Sequence, residues 1–489
     1  MSSRTPERIS TGISGLDEVL HGGLIANRSY LVRGEPGTGK TILGIHFLKA
    51  GADRGETALY VNLEETTEDI ETNAATLGID LDDVRFLDLS PDSEMFARNQ
   101  SYDIFAPSEV EQSSLTDAVT ERVEDVEPDR VFIDPITRLR HLTPDDHQFR
   151  QQVIAFMQYL REAGATVVFT SQNTRSIPDD DLQFMSDGTI EIDLGEFGRT
   201  VTVPKFRGSQ IRGGTHAMRI GDDDVSVFPE LQPSSYDREF VAESIPSGVP
   251  EMDELLHGGI ERGTITVVSG PTGVGKTTTG TQFMKEAAGR GERSVVYMFE
   301  ETKGTFLRRS EAIDMPVRQM LERDALNVHE IEALDFSPEG FAHLVREDVE
   351  GHDTRIVMID GIDGYQLSLR GEETDLVRKL HTLCRYLKNV GVTVILVEET
   401  EAVTGRFTAT EAGISYLADN IVFLQHLELE GRMRKAIGVL KKRTSDFERT
   451  LREFRITERG IEVGESLTDL RGILSDTPTT RVRTEERDD

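Results

Sequence analysis

The sequence predicts an α/β chain of two tandem P-loop domains, each a mostly parallel sheet flanked by helices and carrying an antiparallel extension. Three observations carry this. An octapeptide of one pattern occurs twice, as Gly34-Glu35-Pro36-Gly37-Thr38-Gly39-Lys40-Thr41 and as Gly270-Pro271-Thr272-Gly273-Val274-Gly275-Lys276-Thr277. Each copy follows a strand-like run and opens a helix-like stretch. The residues around the copies match at one offset, 270 − 34 = 236, so the chain is a tandem duplication.

Both octapeptides fit the phosphate-binding loop: glycines turn backbone N–H groups inward, the lysine reaches the β- and γ-phosphates, and the threonine helps to hold Mg²⁺. Ser29 to Arg33 and Thr264 to Val268 are the preceding strands, and Ile42 to Ala50 and Thr278 to Ala288 the following helices. Upstream, Leu16 to Leu20 and Met252 to Leu256 read as short helices ending at Gly-Gly turns. Downstream, Thr57 to Leu63 and Ser294 to Phe299 are strands that end in acid pairs, Glu64-Glu65 and Glu300-Glu301. Strand carboxyl ends face the ligand crevice in such sheets, so these acids are placed to orient or deprotonate a nucleophile. Acids favoured at a helix start are the plainer alternative. The next strands close on Asp134 and Asp360, which read as Mg²⁺-positioning acids.

Helices over Gln148 to Ala163 and Thr374 to Asn389 lead into buried strands Thr166 to Thr170 and Thr393 to Val397. Hairpins follow: Thr189 to Leu194 with Arg199 to Pro204, and Asn420 to Glu428 with Arg432 to Leu440. They end in Lys205-Phe206-Arg207 and Lys441-Lys442-Arg443. Alternate strand residues point the same way. In so acidic a chain, a repeated cation pair reads as a finger for a neighbouring subunit's nucleotide, against exposed surface charge as the alternative. The expected domains are 1–235 and 236–474, with a polar linker near Pro229 to Glu243 and a disordered tail over 475–489.

With 54 Lys+Arg against 88 Asp+Glu, the 489-residue chain carries a net charge of −34, the wrong sign for a protein that works mainly on nucleic acid. The acid is spread along the whole length, which suits a salt-rich cytoplasm. Cys384, the single cysteine, reads as core filler. No apolar run reaches the ~18 residues of a membrane span, and the N-terminus has no signal-peptide core, so a cytoplasmic location is expected.

Together these residues resemble the KaiC family of double-domain, RecA-type ATPases, over almost the whole chain. The resemblance implies a homohexameric double ring with ATP and Mg²⁺ between subunits. It also implies hydrolysis in the N-terminal half and autophosphorylation on Ser/Thr in the C-terminal half. The family carries adjacent Ser-Thr before the Asp that opens the long strand. Here that Asp is Asp419, Ser415 keeps the Ser position and Tyr416 replaces the Thr, while Thr410 keeps a further family hydroxyl. The same count back from Asp187 lands on Gln183 and Phe184, so no acceptor is expected there. Ile313 replaces a Trp of the family's second nucleotide pocket. The chain also ends at Asp489, short of the clock members' longer docking tail, so a KaiC-like ATPase and kinase is expected rather than a full oscillator. Two other classes stay open at this point, a recombinase-like DNA-dependent ATPase and a nucleotide-gated signalling scaffold. Against the first, no basic loop with aromatic residues follows either Asp-ended strand.

Overall fold

Parallel strands buried on both faces are rich in apolar residues, and the two P-loop strands have apolar centres, Tyr30-Leu31-Val32 and Val267-Val268, flanked by buried polar residues. In the computed structural model they span Ser29–Gly34 and Ile265–Gly270, with every residue buried. The structure describes residues 6–90, 119–142, 145–172, 179–221, 224–236, 243–400, 414–429, 431–468, 470–471 and 479–480. The chain divides into two units, Met1–Glu230 and Leu231–Asp489.

Each unit is built on one nine-stranded sheet. In the N-terminal unit the P-loop strand is followed on one side by Thr166–Gln172, Arg130–Asp134, Ala58–Asn62 and Val84–Asp88, all parallel. On its other side lies Gly188–Gly195, also parallel, then antiparallel Gly198–Phe206, His216–Ile220 and Val225–Phe228. The C-terminal unit repeats the order. Thr393–Glu399, Thr354–Asp360, Arg293–Met298 and Leu326–Glu330 lie on one side, and Asn420–Leu429, Arg432–Lys442, Arg452–Thr457 and Gly460–Ser466 on the other. The extension is thus larger than the hairpin expected from sequence. Two more strands continue it in each unit, and each sheet gains a parallel edge strand.

Period-two alternation sends neighbouring side chains to opposite faces, which gives each sheet two cores. Val32 enters one and Leu31 the other; Val268 and Val267 divide the same way. Helices Lys40–Ala52 and Lys276–Gly289 pack on the first face and begin on the P-loop lysine itself, two residues before the sequence-based start. Helices Asp146–Glu162 and Glu373–Asn389 cover the second face, the latter burying Cys384, whose thiol is pushed up to about 12 by burial.

The duplicated segment before each P-loop is held by one acid. Asp17 accepts from the Thr11 N–H at 2.8 Å, and Asp253 from the Ser247 N–H at 2.6 Å, which closes the turn into helices Ser14–Val19 and Pro250–Leu255. Of the expected linker, Leu231 and Tyr236 pack into the C-terminal core; residues 237–242 lie outside the described set. Of the expected tail, only Thr479–Thr480 are described, as a two-residue strand paired with Leu470–Arg471. Among the described residues no helix is long and apolar enough to cross a membrane.

Candidate functional site

In both units the P-loop turns on glycines with positive φ. Gly37 (φ 81°) and Gly273 (φ 69°) have open space around them, so it is backbone conformation, not crowding, that requires glycine there. Gly39 and Gly275 then cap the following helices in the left-handed region. The loop's N–H groups and the helix start form an anion cradle. Lys40 Nζ donates to the carbonyls of Gly34 and Glu35 at 3.0 and 2.9 Å, and Lys276 Nζ to that of Pro271 at 3.1 Å. Burial lowers the pKa of Lys40, opposed by Asp134 and Glu64. From the hairpin, Arg199 reaches the Gly37 carbonyl at 3.3 Å and Lys435 the Gly273 carbonyl at 2.8 Å. This matched pair stands at the 236-residue offset and was not singled out from sequence.

The predicted Mg²⁺ residues meet in each half. Thr41 Oγ1 donates to Asp134 at 2.6 Å, and Thr277 Oγ1 to Asp360 at 3.0 Å. Asp134 also accepts from Tyr60 at 3.2 Å and from Thr170. Burial raises the pKa of Asp134 and pushes Asp360 up to about 6. A buried carboxylate beside a P-loop hydroxyl is relieved by a cation, so both pairs fit Mg²⁺. That ion takes one or two protein oxygens and completes its shell with phosphate and water. No group of three His, Cys, Asp or Glu poised for a metal occurs among the described residues.

The acid pairs occupy matching places with different neighbours. Both oxygens of Glu64 are engaged: Arg138 Nη2 at 2.7 Å and Gln172 Nε2 at 2.7 Å. Among the described residues the Glu65 carboxylate accepts only a long bond, from Asn73 at 3.4 Å, and burial, then Asp134 and Glu64, raise its pKa. In the C-terminal half the arrangement is reversed. Glu300 accepts the Gly364 N–H at 3.3 Å, and burial raises its pKa, aided by Glu399 and Asp363. Glu301 is held bidentately by Arg309 at 2.6 and 3.2 Å, and Arg309 also donates to Thr278 at 3.2 Å. Asn73 and Arg309 stand at the 236-residue offset, and Arg138 and Gly364 at the same distance past their Asp. Gln172 and Glu399 both pair with the first glycine of a P-loop. Glu399 faces Lys276 at 3.5 Å. Aligning the halves residue by residue would have drawn attention to these positions; no motif marks them.

In the C-terminal half the cleft encloses about 410 Å³. The P-loop, Asp360 and the acid pair line one part of it; Ile313 and Ile456 line another. The cation fingers are not among its lining residues. Lys205 donates to Ser186 O at 2.6 Å and to Gln183 O, and Lys441 to Ser415 O at 2.9 Å. Arg443 reaches Tyr416 O at 3.2 Å, and Arg207 is exposed. Between Lys441 and Arg443, Lys442 points the other way and is buried against Glu261 at 2.9 Å. Ser415 and Tyr416 are exposed in a turn just before Asp419, and Phe184 is exposed at the matching place of the first half. Thr410 lies outside the described residues.

A family model described as the KaiC ATPase matches twice, over residues 9–232 and 245–468. The circadian clock oscillator protein KaiC of Parasynechococcus marenigrum is 28% identical, covering 98% of this chain and 94% of its own length. The proteins of the same description from Synechococcus elongatus and Acaryochloris marina are 27% and 28% identical, covering 98% and 99% of this chain.

Proposed function

The chain belongs to the KaiC family of double-domain ATPases, and on that footing we propose that it hydrolyses ATP in both halves and transfers phosphate to its own Ser415. The observation that carries this reading is the same convergence in each half. P-loop lysine, Thr–Asp pair and acid pair meet at the carboxyl ends of one sheet. ATP brings the phosphoryl group, and Mg²⁺ neutralises its oxygens when bound. Lys40 and Lys276 hold the terminal phosphates, Thr41 with Asp134 and Thr277 with Asp360 receive the ion, and the acid pairs orient or deprotonate the nucleophile.

The working form is a homohexameric double ring in the cytoplasm. Lys205, Arg207, Lys441 and Arg443 act on the neighbouring subunit's nucleotide; Lys441 and Arg443 are not among the residues that line the C-terminal cleft. Ser415, beside Lys441, is carried toward that same neighbour. Its Oγ forms a bond to the γ-phosphorus, the bond to the bridging oxygen breaks, the hydroxyl proton passes to Glu300, and ADP leaves. Tyr416 and Thr410 are the other acceptors within reach of this reading. Signalling or clock-like regulation is the role it serves, in keeping with relatives described as circadian clock oscillator proteins.

Mass spectrometry after incubation with ATP and Mg²⁺ tests the kinase, using wild type, Ser415→Ala and Glu300→Gln. Phosphate at Ser415 that disappears in Glu300→Gln is expected. ATP consumption with no phosphate on Ser415, Tyr416 or Thr410 leaves a plain ATPase. Unaltered hydrolysis in Lys40→Ala/Lys276→Ala overturns the site assignment. Stimulation by single-stranded DNA at matched salt would favour a recombinase-like enzyme.

A further inference from the structure

We propose that Arg138 is a positioning residue that restrains Glu64 as a proton acceptor in the N-terminal half, and that the glycine at its counterpart, Gly364, is what leaves Glu300 free to act. The inference rests on the reading of both halves as ATPases. Glu64 and Glu300 follow equivalent strands of the two halves, and each is close enough to its P-loop lysine for the two charges to interact. Their second neighbours differ. Glu64 offers one oxygen to the Arg138 guanidinium and the other to the Gln172 amide, each at 2.7 Å. Both bonds favour the ionised carboxylate and so lower its basicity toward a proton from water, the first of them being charge-assisted.

Glu300 has no such clamp. Among the described residues it accepts one bond, from a backbone N–H at 3.3 Å. The place where a side chain would stand is closed. A Cβ on Gly364 would lie 2.7 Å from Phe299 Cβ and 2.9 Å from Glu300 Cγ. A Cβ on Gly361 (φ +93°) would lie 2.7 Å from Glu300 Cδ, and Pro135 is its counterpart. The charged groups that face Glu300 are Glu399, Asp363, Lys276 and Asp360; those that face Glu64 are Arg138, Glu65 and Lys40. The exchange of Gln172 for Glu399 works in the same direction as that of Arg138 for Gly364. It replaces a donor to the first acid by a like charge.

The clamp is a modest one. Arg138 and Glu64 side chains are 40% and 33% exposed, and ion pairs so open to water are weak. A few-fold effect on rate is therefore expected, up to roughly tenfold, and not a thousandfold one.

The test uses the full chain with Lys276→Ala silencing the second half, and ATP·Mg²⁺ as the probe. Arg138→Gly and Arg138→Gln should each raise kcat about threefold to tenfold with little change in KM. Arg138→Lys, which keeps a cation, should recover less than half of the gain. Adding Glu64→Gln to Arg138→Gln should remove the gain, since the effect runs through that acid. A second readout is independent of steady-state rate: after rapid desalting and quenching, the nucleotide retained by Arg138→Gln should be richer in ADP than that retained by the parent. A kcat unchanged or lowered in a folded Arg138→Gln protein, with KM unchanged, overturns the inference. Turnover unaffected by Lys40→Ala in the same background would instead overturn the reading on which it rests.

Discussion

Glu64–Glu65 and Glu300–Glu301 end equivalent strands, follow equivalent P-loops and precede helices capped by equivalent threonines, Thr66 and Thr302. Their surroundings are reversed. Among the described residues, the leading acid of the first half is tied by a cation and the trailing one is not; in the second half the trailing acid is tied and the leading one is not. Three exchanges do this: Arg138 for Gly364, Gln172 for Glu399, and Asn73 for Arg309. Duplication has kept the scaffold and the phosphate cradle, while the residues that decide how an acid behaves have diverged around them.

The largest effect that separates the halves is expected from the leading acids. With the other P-loop lysine replaced by alanine, Glu300→Gln should lower C-terminal turnover at least about a hundredfold, as loss of a working general base does. Glu64→Gln should cost the N-terminal half roughly tenfold, because Arg138 and Gln172 already lower the basicity of that acid. Equal losses in the two halves would break the comparison.

Asp348 offers a test on stability. Its carboxylate is buried and accepts from His329 and Tyr297, both at 2.8 Å, and burial raises its pKa while these partners more than compensate, holding it at about 2. The folded value lies below the unfolded one, so the contribution is present above ~pH 4 and is lost as pH falls toward about 2. The first half has Arg122 at the matching position. Asp348→Ala should destabilise the C-terminal half by about 2 kcal/mol at neutral pH and much less in acid. Calorimetry that shows the same loss at both pH values would contradict this account.

Next in size is Arg309. It orders both Glu301 and Thr278, the residue that follows the P-loop threonine. Arg309→Ala should weaken ATP binding by the second half about tenfold in equilibrium dialysis, whereas Asn73→Ala should change the first half less than about twofold. The smallest effect concerns pH. Because Glu300 has a raised pKa and must be ionised to accept a proton, C-terminal turnover should fall on acidification at a pH above the ordinary glutamate range of about 4.3. A pH–rate profile that is flat down to that range would remove the assignment of Glu300 as the base.

Much of this protein was legible because its signals are local. The P-loop spacing, the apolar runs that end in Glu-Glu and in Asp, and the shared offset around the two P-loops are short patterns tied to strand and loop geometry. The structure places Thr41 on Asp134 and Thr277 on Asp360, as the motif logic requires. Less legible were the sheet edges. Val84–Asp88 mixes exposed and half-buried residues with a single buried one, and so lacks the continuous apolar run of a central strand.

By itself, then, the sequence determined the duplication, the order of the parallel strands' motifs and the phosphate-binding chemistry, since each of these is written within a few adjacent residues. Tertiary structure alone decided which acid is clamped. Arg138 meets Glu64 across 74 residues of chain and Gln172 meets it across 108, while Gly364 approaches Glu300 across 64. Such contacts depend on how separate strands and turns come together at one end of the sheet. Hydrogen-bond strength and desolvation act over a few ångströms of space, whatever the distance along the chain.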